Sequence, residues 1–71
     1  MEPSDIISRF RQRAMGYDDA HEHMRQALIA AGAKPRQAVS AMHDAYDRGH
    51  SSGQEQVLMV AASLVTIFKG E

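Results

Sequence analysis

Residues 57–68, VLMVAASLVTIF, decide what kind of fold this chain can make. Only Ser63 and Thr66 in this run are polar. At about 100° per residue, Val57, Ala61, Leu64 and Phe68 fall in one narrow stripe, with Val60, Ile67, Val65 and Leu58 flanking it. The apolar arc covers more than half of a helix. Such a helix has to be surrounded; it cannot lie on a surface with one face wet. The run is also well short of the ~18 residues that cross a bilayer. Its ends are marked by Ser52-Gly53-Gln54-Glu55, a Ser-x-x-Glu capping box, and by Lys69 and Gly70. These signals predict a helix over about 53–69.

Three more helices are expected upstream, which gives an all-α fold, a small bundle of three to four short helices. The first covers about 4–15, capped by Ser4 or Asp5 and ended by Gly16, with Ile6, Ile7, Phe10 and Ala14 on one face. The second covers about 20–31, where Asp19 and Glu22 have capping-box spacing. Ala20, Met24, Ala27, Leu28 and Ala31 make its stripe, Ile29 points nearly opposite, and Gly32 stops it. The third opens at Pro35, a favoured first helical position, and covers about 35–48. Its apolar face is Ala38, Val39, Met42, Ala45 and Tyr46, and Gly49 closes it. The links are short, so successive helices lie side by side, with the fourth at the centre.

A chain of 71 residues reads as a single domain spanning 1–71. A domain this small buries only about 60% of its unfolded surface. Disulfides, a metal or a partner usually add to that. There is no cysteine, so no disulfide or thiolate metal site can form, and a reducing cytoplasmic setting is expected. The opening MEPSDIISRFRQR holds no apolar h-region, so no signal peptide is expected. Eight Lys and Arg against nine Asp and Glu give a net charge of -1, unlike the strongly basic balance of a general nucleic-acid binder.

Motifs for chemistry are sparse. His21 and His23 are two apart and diverge on a helix, whereas His43 and Asp47 share a face at i, i+4, with His50 just beyond. Two or three such ligands read more plainly as a solvent-facing polar edge, so no metal and no cofactor is expected. Ser40, His43, Asp44 and Asp47 include the residue types of a hydrolytic triad. As neighbours on one helix surface they lack the pocket and oxyanion donors that acyl transfer needs. No enzyme is expected. A glycine corner between the second and third helices raises a helix-turn-helix alternative, a small DNA-binding transcriptional regulator with Arg36, Gln37 and Ser40 on the recognition helix. Asp44 and Asp47 would then oppose the phosphates, and the basic residues are scattered.

In size and all-helical build the chain resembles small secretion co-chaperones that shield a hydrophobic subunit, and small phage-encoded inhibitors of host proteins. The resemblance is one of build and transfers no residue role. It implies stoichiometric action by binding. The expected function is a non-catalytic protein–protein interaction module of adaptor, co-chaperone or inhibitor type. Its partner-binding residues are expected at Ile29, Leu58, Val60, Leu64, Val65, Ile67 and Phe68, and its partner is another protein or a second copy of the chain.

Overall fold

The computed structural model describes residues 1–70. Among these it holds four α-helices and no strand: α1 Pro3–Arg11, α2 Tyr17–Ala30, α3 Pro35–Gly49 and α4 Gln54–Lys69. A short 3₁₀ turn, His50–Ser52, joins α3 to α4. The expected all-α bundle is what forms. No helix is long and apolar enough to cross a membrane.

Helix α1 starts on Pro3 and carries Asp5 in its first turn and Arg9 and Arg11 in its last, each sign placed where the helix dipole favours it. It ends at Arg11, short of the expected Met15. The Arg13 N–H donates to the Phe10 carbonyl (3.0 Å) and the Ala14 N–H to the Arg9 carbonyl (2.9 Å), the paired bonds of a Schellman end. Arg13 occupies the left-handed position of that motif, at φ 61°. Glycine usually fills this position, and the nearest glycine, Gly16, instead precedes α2 as its N-cap.

Helix α2 therefore begins three residues earlier than its sequence pattern suggests. Asp18 and Asp19 both lie inside its first turn. The Asp19–Glu22 box does not form: the N-cap is Gly16, and Glu22 pairs with Arg25 at 2.6 Å. The other end follows the pattern. Gly32 takes φ 119°, its N–H donates to the Ile29 carbonyl (3.0 Å), and the Ala33 N–H donates to the Leu28 carbonyl (3.0 Å). Ala33 is thereby tucked into the core beside Leu28.

Helix α3 starts at Pro35, and the Lys34 N–H is capped by the Gln37 side-chain oxygen at 2.8 Å. The Ser52 box also fails to form, because Ser52 is used in the 3₁₀ turn and Gly53 becomes the N-cap of α4. Gly53 sits at φ 110°, ψ 170°, a region open essentially to glycine alone. Two polar residues of α4 bond back to their own helix: Ser63 Oγ donates to the Met59 carbonyl and Thr66 Oγ1 to the Ala62 carbonyl, both at 3.2 Å.

Helix α4 packs on all three others, while α1 and α3 do not touch. The core is Ile6 from α1, Ala20, Met24 and Leu28 from α2, Ala33, then Ala38, Met42 and Ala45 from α3, and Val57, Leu58, Ala61 and Val65 from α4. The many alanines let the helices approach closely around a few large residues. Gly49 marks a close approach of α3 to α4: a Cβ there would lie 2.8 Å from the Val57 nitrogen. The cover that α4 needs comes largely from the chain itself.

Candidate functional site

The expected binding residues divide into two groups. Leu58 and Val65 lie in the core at 0% and 3% exposure, so no partner touches them in this fold. Ile29, Val60, Leu64 and Phe68 are half-buried against the core, and Ile67 is 69% exposed. The buried side of α4 is Val57, Leu58, Ala61 and Val65, turned roughly 45° from the stripe Val57, Ala61, Leu64, Phe68 at about 100° per residue. That turn brings Val60 and Leu64 to the margin of the core and leaves Ile67 outside it. The outer face then runs through Gln56, Met59, Ser63, Thr66 and Ile67, all exposed. From Gln56 to Phe68 there is no charged side chain. Two ion pairs border this face: Arg11 meets Glu55 at 2.7 Å and also reaches the Met59 sulfur at 3.9 Å, and Lys69 meets Glu2 at 3.7 Å. Both pairs tie α1 to α4, so α1 is packed on the body.

A second feature lies between α2 and α3, a groove of about 510 Å³. It is lined by buried Met42, by Val39, by the rings of Tyr17, His21, His43 and Tyr46, and by Asp18 and Arg25. Tyr17 and Tyr46 continue into a smaller cleft of about 220 Å³ against His50 and Val57. Sequence periodicity put Val39 and Tyr46 on the buried face of α3, yet they are 45% and 51% exposed. They form one lip of the groove, while Tyr17 and His21, an i, i+4 pair on α2, line it from the other side. The only sequence trace of this was an α3 apolar face wider than its Ala-rich partner could cover.

The electrostatics of the groove are specific. Tyr17 packs edge-on to Phe10 (6.2 Å) and to His21 (6.0 Å), and its hydroxyl is closed off from solvent without a hydrogen-bond partner. Burial pushes its phenol above the usual 10.0, and nearby Tyr46 and Asp18 add to the shift. Arg25 is engaged by Glu22 through Nε (3.1 Å) and Nη2 (2.6 Å). Those bonds, with a further one from Gln26, hold the Glu22 carboxyl down to about 2. Tyr46 stacks on His50 at 5.1 Å, with 14° between the rings.

Among the described residues, no three metal-capable side chains converge. Ser40 and His43 are exposed on α3, and Asp44 is paired to Arg48 at 3.2 Å. At the glycine corner, Arg36 and Ser40 are exposed, but the Gln37 oxygen is engaged in capping α3. The chain matches no known protein family, no curated protein and no solved structure.

Proposed function

We propose that this chain is a non-catalytic protein–protein interaction module of adaptor, co-chaperone or inhibitor type, working by the outer face of α4. The observation that supports this is the charge-free run Gln56–Phe68 on a helix whose outer face is wet, with Ile67 at 69% and Met59 at 40% exposure. A solvated helix face ordinarily carries Lys and Glu, and loss of charge marks the centre of interfaces. Ile67 and Met59 would serve as anchors on a partner helix, with half-buried Val60, Leu64 and Phe68 beside them. Small Ser63 between the anchors admits a close approach, and the Arg11–Glu55 and Lys69–Glu2 pairs form the rim. Leu58 and Val65 serve by holding α4 in place. Ile29 adds a half-buried apolar residue on α2. A reducing cytoplasm is the proposed setting, to which a chain without cysteine is suited.

The test is solution mass by light scattering across a concentration series, alongside Ile67→Glu. A concentration-dependent larger species that Ile67→Glu abolishes, with helix content unchanged, supports a second copy as partner. If the chain stays monomeric, a photo-crosslinking residue at position 67 tests for a different protein in cells. Absence of both self-association and a position-67 adduct overturns the proposal.

A further inference from the structure

With no cysteine in the chain, the only sulfur open to oxidation is that of its five methionines. The fold sorts them. Met24 and Met42 are sealed in the core at 0% and 2% exposure, and Met15 is packed against it. Met1 stands at the chain end, and Met59 is 40% exposed on the charge-free outer face of α4. Met59 also lines a cleft of about 340 Å³ between α1 and α4, with Ile7, Ser8, Arg11 and Gln12 around it. A peroxide molecule has room there, and burial keeps it from Met24 and Met42.

A charged neighbour accompanies this methionine. Arg11 holds the Glu55 carboxylate through Nε at 2.7 Å, and its Nη2 reaches the Met59 Sδ at 3.9 Å. A thioether accepts such a bond weakly, whereas oxidation to the sulfoxide makes the side chain polar and supplies an oxygen acceptor. An oxygen on that sulfur can come within N–H···O range of the guanidinium, helped by the three rotatable bonds of the side chain. We propose that Met59 is a reversible oxidation site through which hydrogen peroxide turns off the α4 interface, with Arg11 binding the oxygen that is added. A sulfur lone pair attacks one peroxide oxygen, the O–O bond breaks as the S–O bond forms, and both hydrogens leave with the other oxygen as water. The sulfur is oxidised and the peroxide reduced. A sulfoxide reductase supplied with a dithiol reverses the step, the dithiol becoming a disulfide and the oxygen leaving as water. The inference rests on the interface reading of α4: Met59 is one of its two anchors, and the sulfoxide puts a polar group tied to the rim in place of an apolar one.

The experiment is brief treatment of the full chain with hydrogen peroxide, followed by peptide mass spectrometry. One added oxygen is expected on Met59 well before any on Met24 or Met42, with helix content unchanged. The Arg11 side-chain N–H signals in NMR should move on oxidation of the parent and stay in place in Met59→Leu. In the mass and crosslinking measurements above, the oxidised chain and Met59→Gln should associate roughly five- to thirtyfold more weakly than the parent, and reductase treatment should restore the oxidised chain. Oxidation of Met59 no faster than of Met24 and Met42, or an Arg11 signal that does not move, overturns the site. Association that Ile67→Glu abolishes but Met59 oxidation leaves unchanged overturns the switch while the interface stands. Absence of both self-association and a position-67 adduct removes the interface, and the switch falls with it.

Discussion

Arg13 closes α1 from the left-handed region, at φ 61°, where a Cβ crowds the following carbonyl. Glycine is free of that crowding. Arg13→Gly is therefore expected to stabilise the chain by about 1 kcal/mol, raising the thermal midpoint by roughly 4–8 °C in a scan followed by circular dichroism. Glu22 gives a second prediction at this scale. Its carboxyl is held down to about 2, chiefly by its hydrogen bonds with Arg25. A folded value below the unfolded one means that the pair contributes above about pH 4.3 and that this contribution is lost as the pH falls through about 2. The pair is exposed and screened by water, so its mark is the titration itself rather than stability. Side-chain NMR should find the Glu22 midpoint near 2, and Arg25→Ala should raise it toward the ordinary carboxylate range, with the Gln26 bond still holding it down in part.

One helix contact has no side chain in it. At Gly49 the α3 backbone lies close against α4: an added Cβ would stand 2.8 Å from the Val57 nitrogen, 2.9 Å from its Cα and 3.0 Å from the Gln56 carbonyl carbon. All three are backbone atoms and cannot swing aside, so the helices themselves must part. Gly49→Ala is expected to destabilise by about 1–3 kcal/mol, the ordinary cost of overpacking, with a matching fall in thermal midpoint. The side of α4 bearing Leu58 and Val65 goes inward, Val60 and Leu64 are left at the margin, and Ile67 is left outside. Periodicity locates an apolar arc, but where that arc exceeds the space its neighbours offer, the contact decides which part of it is covered.

Taken whole, the chain encloses its own core. Its Cα radius of gyration is 10.8 Å, against about 11 Å expected for its length. Its accessible surface of 4542 Å² is near the ~4,400 Å² of a folded monomer this size. With so few large residues inside, each matters. Leu58 is at 0% exposure, and Leu58→Ala is expected to cost about 2–5 kcal/mol. That is comparable to the ~3–5 kcal/mol a core this small usually supplies, so a urea titration should find the variant largely unfolded without denaturant. Ile67→Ala on the outer face should stay within about 0.5 kcal/mol of the parent. The contrast in urea midpoints separates the structural side of α4 from the side available to a partner.

The sequence by itself determined the all-α class, the four helices, the stop at Gly32 and the start at Pro35, because each is written in neighbouring residues. Most core positions were also legible, Ile6, Ala20, Met24, Leu28, Ala38, Met42 and Ala45 among them, since a helix repeats its buried side every three or four residues. Only the tertiary structure decided that Arg13 rather than Gly16 closes α1, and that Gly53 rather than Ser52 caps α4. It alone decided that Leu58 and Val65 turn inward, and that Tyr17 and His21 meet Val39, His43 and Tyr46 across a groove. A cap depends on the path the backbone takes between helices. A groove depends on two surfaces far apart in the chain that do not fully close on one another, and no local pattern records either.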